Sequence, residues 1–215
     1  MRNRLAILLC ALALAGCAGH SGPELKANFD SGLKAYDAGD YPTAYKIWST
    51  TEKYDLAAMR NVAMMLRKGQ GVAKDPKKAE DLLQIAAEAG LPTAQADLAD
   101  MLMKGEAGPP DPKRALPLYQ LAAAGNHPVA QFQLAQWYET GWEGMVPQNT
   151  LVARRLYAAT ASHGMKAAEE RLAVLGPEPP KESPPEAPKQ APAQPLETPA
   201  APAEPALVPA VPPQP

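Results

Sequence analysis

The sequence predicts an all-α protein in which stacked helix hairpins form a solenoid. Three observations predict this class. The central part of the chain repeats itself every 36 residues. Glycines and Asp-Pro pairs recur where helices would end and begin, and apolar or small residues recur between them at helical spacing.

The repeat is visible when the chain is shifted by 36 residues against itself. The segment MRNVAMMLRKG (59–69) then falls on QADLADMLMKG (95–105) and on QFQLAQWYETG (131–141). The third copy is 38 residues long, and its two extra residues lie between Gly141 and Ala153. An insertion confined to a connector is what a repeat made of helix pairs predicts.

Each copy is predicted to contain two helices, as the second copy shows. Its first helix, over 93–104, should end at Gly105, because glycine readily adopts the left-handed conformation of a helix end. Asp111 should then cap the second helix, with Pro112 in the first helical position, and this helix should end near residue 124. Pro117 lies inside it, where it removes one hydrogen bond and should bend the helix.

The matched alanines predict how the hairpins pack. Small residues recur at the same positions in each copy, which lets neighbouring helices approach closely, while Leu83, Tyr119 and Tyr157 should fill the layer between them. The glycines of GQGVAKDP (69–76) therefore belong to a turn. A phosphate-binding loop would instead follow a strand and close with Lys-Ser or Lys-Thr.

These residues resemble the Sel1-like repeat, a relative of the tetratricopeptide repeat. The resemblance covers three copies, 55–90, 91–126 and 127–164, and implies a right-handed α/α solenoid. The segment GLKAYDAGDYPTAYKIW makes 24–54 similar to a tetratricopeptide-type lead-in pair, and MKAAEERLAVLG resembles a capping helix over 165–176. Capping elements of this kind keep the ends of repeat arrays soluble.

The N-terminus reads as an export signal over 1–16. Two arginines precede a short apolar run, which is far below the ~20 residues needed to span a membrane. Leu14-Ala15-Gly16-Cys17 resembles the lipobox of bacterial lipoproteins, which implies covalent lipid on Cys17, palmitate included, and a tether over 17–23. The residue after the cysteine is Ala18 rather than aspartate, which implies that the lipoprotein is located in the outer membrane. The alternative is an ordinary signal peptide that is cleaved after a small residue.

The C-terminus, 177–215, has 15 prolines in 39 residues and no aromatic residue. Such a composition cannot bury enough apolar surface to fold, so we expect a disordered or polyproline-like tail. A solvated tail is one interpretation. A spacer, or a ligand for a proline-binding groove, is the other.

Composition and charge argue against several function classes. Residues 24–176 hold 17 Lys and Arg against 18 Asp and Glu, so no basic face for nucleic acid is expected. After export only Cys17 remains as a cysteine, and it carries the lipid, which leaves no thiol for a disulfide, a metal or catalysis. His127 and His163 lie in turns and should be solvated, as should Asp97 and Asp100. We therefore expect no enzyme, no metal site and no cofactor.

A solenoid of helix pairs has a concave face, which the first helix of each pair lines in tetratricopeptide-like folds. Carrying that pattern over, we call the following set the concave face: Arg60, Met64, Arg67, Lys68, Ala96, Asp100, Met103, Lys104, Phe132, Gln136, Glu139 and Thr140. Methionine and aromatic side chains beside charges suit a protein partner. The alternative is that several of them only pack against neighbouring helices. Trp142 either contacts a partner or folds back over the repeat edge.

The sequence therefore predicts a lipid-anchored envelope protein on the periplasmic face of the outer membrane. Its solenoid would act as an adaptor for another envelope or periplasmic protein, as the resemblance implies. A similarity to the repeat-containing lipoprotein of alginate secretion offers an alternative, an accessory role in exopolysaccharide export. A periplasmic hydrolase is a remote third option, because the cysteine pairs of Sel1 relatives linked to β-lactam hydrolysis are absent.

Overall fold

The structure is a computed structural model that describes residues 22–177. These residues form helices joined by short connectors, and the one pairing of extended backbone among them is an isolated bridge between Trp142 and Val146. The predicted signal peptide, Cys17 and nearly all of the proline-rich tail lie outside the described residues. The helices are α1 (Gly22–Asp37), α2 (Tyr41–Thr51), α3 (Leu56–Lys68), α4 (Pro76–Glu88), α5 (Pro92–Lys104), α6 (Pro112–Ala124), α7 (Pro128–Thr140), α8 (Thr150–Ser162) and α9 (Lys166–Leu175).

The helices stack in chain order. Each packs mainly against the helix before it and the helix after it, which is the nearest-neighbour arrangement of a solenoid. The prediction of an all-α solenoid of hairpins is thus confirmed. One difference lies at the start, where Gly22 and Pro23 belong to α1 rather than to the predicted tether.

The helix ends follow the chemistry that the repeat predicts. The carboxylate oxygens of Asp75 and Asp111 accept the backbone N–H groups of Lys78 and Arg114, each at 3.0 Å, and so cap α4 and α6. Gly105 ends α5 in the left-handed conformation, with φ 64°. The sequence therefore determines where these helices begin and end through residues that are local to each end.

The connectors inside the three repeats share one closing hydrogen bond. We call 69–75 the first connector, 105–111 the second and 141–149 the third. The last residue of each donates its backbone N–H to the carbonyl of the residue two positions before the end of the preceding helix: Asp75 to Leu66 at 2.9 Å, Asp111 to Leu102 at 2.9 Å, and Asn149 to Tyr138 at 2.7 Å. The two extra residues of the third copy therefore lie within the third connector, as predicted, where Trp142 and Val146 exchange two backbone hydrogen bonds.

The core is a seam of small residues with a few large ones between them. Matched alanines from successive copies have no exposed surface, among them Ala63 and Ala99, while Leu83 and Tyr157 are equally buried and Tyr119 is nearly so. Two glutamines also recur in the seam at a 36-residue interval. Gln95 Nε2 donates to the carbonyl of Ala87 at 3.1 Å, and Gln131 Nε2 to that of Ala123 at 3.2 Å.

Candidate functional site

Three of the charged residues predicted for the concave face, Arg60, Arg67 and Asp100, are paired between neighbouring repeats. Arg60 Nε on α3 lies 2.5 Å from Asp97 Oδ2 on α5. Arg67 Nη2 lies 2.5 Å from Asp100 Oδ2, and Arg67 Nε donates to Glu106 at 2.7 Å. The prediction that Asp97 and Asp100 form a solvated face is wrong, because each accepts a guanidinium from the preceding repeat.

Burial reinforces the pairing around Arg67, whose side chain is only 10 % exposed. The hydrogen bonds that Arg67 donates to Glu106 are the main cause that raises the pKa of Arg67. The same bonds lower the pKa of Glu106. Burial alone would raise the pKa of Asp100, but hydrogen bonds from Arg67 and Lys104 outweigh it, so the pKa of Asp100 lies below its usual value. Arg67 and Asp100 therefore pair with each other, and a contact of either residue with a partner stays a prediction.

The predicted residues of the third repeat pack against α8 and α9. The ring of Phe132 meets that of Tyr157 edge-on at 5.5 Å. Glu139 accepts the hydroxyl hydrogen of Tyr157 at 2.8 Å and pairs with Arg171. Burial and this carboxylate raise the pKa of Tyr157 to about 12. Phe132 and Glu139 therefore serve the inter-helix contact, which was the stated alternative to binding.

The other residues of the set divide between buried and exposed positions. Ala96 is buried and Met103 packs against the core. Lys104 is exposed but lies 2.9 Å from a carboxylate of its own helix. Gln136 and Thr140 are exposed at the C-terminal part of α7. The predicted set is therefore only partly exposed.

An open part of the predicted face does occur between α1 and α3. A cleft of about 240 Å³ lies there, and we call it the N-terminal cleft. Met64 and Lys68 line it together with Arg60, so three predicted residues meet in one place. The full lining is Leu33, Tyr36, Asp37, Trp48, Arg60, Asn61, Met64, Met65 and Lys68.

Trp142 and His127 both have structural partners. The indole of Trp142 stacks on that of Trp137, with ring centroids 4.1 Å apart and planes 8° from parallel. It therefore folds back over the repeat edge, which was the second of the two alternatives. His127 Nδ1 accepts the backbone N–H of Ala130 at 3.4 Å, and burial lowers the pKa of this histidine. The prediction that His127 is simply solvated is wrong, because its ring caps α7.

Sequence reasoning missed the ion-pair partners and one wall of the cleft. Asp97 follows its partner Arg60 by 37 residues, and Glu106 follows its partner Arg67 by 39 residues. Both separations are close to the repeat period. Opposite charges separated by about one period were the signal that could have revealed these pairs. Leu33 and Asn61 carry no comparable signal, because their place in the cleft depends on how α1 packs against α3.

Neither a metal centre nor a membrane span is found in the part of the chain that the structure describes. Within residues 22–177, no three side chains of His, Cys, Asp or Glu cluster so that they could hold a metal ion. No helix in the same range combines the length and the hydropathy that crossing a bilayer requires.

The periodic hairpins and their capped connectors match a known repeat family. The sequence profile of the Sel1 repeat matches residues 56–91, 92–127 and 128–165, which together make up just over half of the chain. The chain therefore belongs to the Sel1 repeat family. Proteins of this family commonly mediate protein–protein interaction and are generally non-enzymatic scaffolds.

Solved structures agree with this assignment. The chain is similar to a Sel1 repeat protein of Oxalobacter formigenes, with 31% identity and a TM-score of 0.63 over 68% of this chain and 59% of that one. It is also similar to c5321, a protective antigen of uropathogenic Escherichia coli strains with an SLR fold, with 26% identity and a TM-score of 0.61 over 70% of this chain and 33% of the antigen. The chain thus spans less than two thirds of both proteins. Comparison with curated proteins finds no match.

Proposed function

We propose that the protein is a lipid-anchored adaptor of the bacterial envelope that binds another envelope or periplasmic protein in the N-terminal cleft. The observation that carries this proposal is the cleft itself. Three residues predicted for the concave face meet there: Met64 and Lys68 have no ion pair within the described residues, and Arg60 stays partly exposed beside its pair with Asp97, while much of the rest of that face is ion-paired or packed. The binding surface is thus narrower than the predicted face.

The chemistry of the cleft suits a peptide segment. Leu33 is 42 % exposed, and Met64 lines the cleft beside it, so an apolar side chain can be buried there. Asn61 makes no side-chain hydrogen bond among the described residues, which leaves its amide donor and carbonyl acceptor for a partner's backbone. Lys68 is exposed and has no ion pair within the same residues.

The spacing along α3 suits an extended segment. Arg60, Met64 and Lys68 follow one another at one-turn intervals, so they cover about 12 Å of the helix at ~1.5 Å per residue. Alternate side chains of an extended peptide repeat at roughly 6.7 Å, and three of them cover about 13 Å. On one edge of such a segment, an apolar side chain would meet Met64 and an acidic one would meet Lys68. Arg60, whose Nε already pairs with Asp97, would donate from its remaining N–H groups to an acceptor on the segment.

The position of the cleft suits work close to the membrane. Only four residues separate Cys17 from Gly22, where α1 begins. Even fully extended, that segment reaches about 18 Å. Leu33 and Asp37 of the cleft lie on α1, so a lipid on Cys17 would hold this end of the solenoid near the bilayer of the outer membrane.

Site-specific photocrosslinking in cells tests the cleft. A photoreactive benzoylphenylalanine at Met64 should trap a partner protein, whereas the same group at Ile85 should not. Ile85 is a matched control, because it is 51 % exposed and lies on α4, a second helix of a pair. Trapping at Ile85 with none at Met64 would show that the wrong face has been chosen. A trapped export porin or glycosyltransferase would favour the role in exopolysaccharide secretion.

Replacement of the lipidated cysteine tests the anchor. The Cys17→Ala variant should incorporate no labelled palmitate and should move from the membrane fraction to the soluble fraction. It should also give less crosslinked product at Met64, because the cleft would no longer be held near its partner. Unchanged palmitate labelling of this variant would contradict lipidation at Cys17.

A further inference from the structure

Aromatic rings close two of the three connectors. At the first connector, Tyr36 meets Tyr41 edge-on at 5.1 Å and donates its hydroxyl hydrogen to Gln70 Oε1 at 3.1 Å. At the third connector, Trp142 stacks on Trp137. In both places an aromatic pair contacts the connector: the Tyr36 hydroxyl reaches Gln70 in the first, and Trp142 of the third connector is itself one of the two rings.

The second connector has the same backbone closure but no aromatic cover. The matching positions hold no aromatic residue here. Pro76 follows the capping residue Asp75 as Tyr41 follows the capping residue Asp40, and Met101 and Glu106 lie 36 residues before Trp137 and Trp142. A cleft of about 300 Å³ opens at this point, and no aromatic residue of the described chain lines it. We call it the connector cleft; its volume is at the low end of ligand pockets, so it suits a single side chain.

The walls of the connector cleft combine an apolar floor with a partly buried carboxylate. Met101 and Leu102 form the floor, and Ala107 lines the wall. The side chain of Glu80 is only 12 % exposed, and its oxygens accept Lys77 Nζ at 3.2 Å and Arg114 Nη1 at 3.3 Å. Because a carboxylate has about four acceptor positions, Glu80 can accept a further hydrogen bond.

We infer that the connector cleft binds a tryptophan or tyrosine side chain of a partner protein. The ring would pack over Leu102 and Ala107, above the buried side chain of Met101. Its N–H or O–H would donate to Glu80, and the exposed cations of Lys77 and Arg114 would lie against the ring face. This site is separate from the N-terminal cleft, and the inference does not depend on the adaptor proposal for that cleft.

The same combination of groups already binds an aromatic residue elsewhere in this chain. Glu139, whose side chain is 13 % exposed, accepts the hydroxyl hydrogen of Tyr157 while Arg171 pairs with the same carboxylate. In the connector cleft Glu80 and Arg114 supply the carboxylate and the guanidinium, but the aromatic donor is missing. An apolar ring without a polar hydrogen would make no hydrogen bond to Glu80 and would therefore gain less binding free energy. This selects tryptophan and tyrosine over phenylalanine and leucine.

Titration of the full-length protein with amino-acid amides tests the inference. The probes are the N-acetyl amides of tryptophan, phenylalanine and leucine, and the signals are the Met101 methyl group and the backbone amides of Gly105, Ala107 and Gly108 in NMR spectra. We expect saturable shifts of these signals by the tryptophan probe, with a Kd on the order of millimolar. The phenylalanine probe should bind roughly tenfold more weakly, because it cannot donate to Glu80.

A variant that fills the cleft provides the matched comparison. Ala107→Trp places an indole within the connector cleft and should abolish the shifts, whereas Ala73→Trp, in the already covered first connector, should leave them unchanged. Equal response to all three probes, or shifts confined to Asn61 and Met64, would overturn the inference. So would full binding by a folded Ala107→Trp variant. If that variant does not fold, the preference of the unmodified protein for the tryptophan probe over the phenylalanine probe still tests the inference. Crosslinking at Met64 tests the N-terminal cleft separately.

Discussion

At the scale of single residues, the lead-in hairpin depends on the absence of one methyl group. Gly32 of α1 lies flat against the indole of Trp48, which is 2 % exposed and donates its N–H to the carbonyl of Phe29 at 3.2 Å. A Cβ at position 32 would lie 2.3 Å from Trp48 Nε1, well inside van der Waals contact. The fit of α1 on α2 therefore requires glycine at this position.

Replacement of this glycine should weaken the fold. We expect Gly32→Ala to lower the free energy of unfolding by about 1–3 kcal/mol, because the large indole cannot move aside within a filled core. Urea unfolding followed by circular dichroism measures this loss. Gly22→Ala in the same helix is the control, since nothing lies within 4 Å of its Cβ position, and it should change the value by less than about 0.5 kcal/mol. Equal effects of the two changes would contradict the packing argument.

The two buried glutamines should differ when each is replaced by methionine. Met59 occupies the equivalent place in the first repeat at 6 % exposure, so methionine fits there. Gln95→Met should lower the free energy of unfolding by about 1 kcal/mol, because the hydrogen bond of Gln95 is lost. Gln131→Met should cost less, because Gln131 Oε1 is buried without a partner among the described residues and its removal relieves that penalty. Thermal unfolding compares the variants, and a larger loss for Gln131→Met would refute this account.

At the scale of one helix, α6 includes a proline within its interior. Pro117 is five positions beyond Pro112, the first residue of α6, and it cannot donate to the carbonyl of Lys113. Its ring is exposed, so the unpaired carbonyl is on a side of the helix that water can reach. The helix nevertheless continues to Ala124, because its opposite side is fixed in the core by Ala115 and Tyr119.

Removal of this proline should stabilise the protein. We expect Pro117→Ala to raise the free energy of unfolding by about 1–3 kcal/mol, because one helical hydrogen bond is restored and the greater freedom of the unfolded chain offsets only part of the gain. Chemical denaturation of the full chain gives the difference. Pro112→Ala should produce almost no gain, since the first position of a helix has no hydrogen bond to restore. An equal gain from both variants would rule out this explanation.

At the scale of the whole molecule, ion pairs tie successive repeats together. Arg67 connects α3 to Asp100 of α5 and to Glu106 of the second connector. Glu139 of α7 pairs with Arg171 of α9. Because these residues are about one repeat apart, each pair fixes the rotation of one hairpin on the next in addition to the contacts of the alanine seam.

Stability should therefore depend on pH in the acid range. The folded protein holds the pKa of Asp100 and of Glu106 below their usual values of 3.8 and 4.5. A lowered pKa stabilises the fold above the usual value, and this contribution disappears as the pH falls towards the lowered pKa. The free energy of unfolding contributed by these groups should be constant from pH 7 to about 5 and decrease below about 4.5.

The Arg67→Gln variant separates this effect from general acid unfolding. It should be less stable than the unmodified protein at pH 7, and the difference between the two should shrink as the pH falls to 3, because the carboxylates then lose their charge in both proteins. Lys68→Gln, which removes an exposed cation one residue away, should leave the acid profile unchanged. A difference that stays constant from pH 7 to pH 3 would contradict the role of the pairs.

The sequence by itself determined the periodic architecture. Asp111 caps α6 and Gly105 ends α5 through interactions within a few residues, and Ala99 recurs at one period because neighbouring helices must approach closely there. Local chemistry of this kind can be recognised in the sequence without knowing the neighbours. The same argument placed the two extra residues of the third copy in its connector.

Only the tertiary structure decided which side chains are open to a partner. Arg60 and Arg67 lie on the predicted face, but the rotation between hairpins brings each within hydrogen-bonding distance of an acid from the next repeat, and the period alone does not specify that rotation. The connector cleft has the same origin. Neither Lys77 nor Met101 signals a cleft in the sequence, because the space beside them depends on how α4 packs against α5 and the second connector.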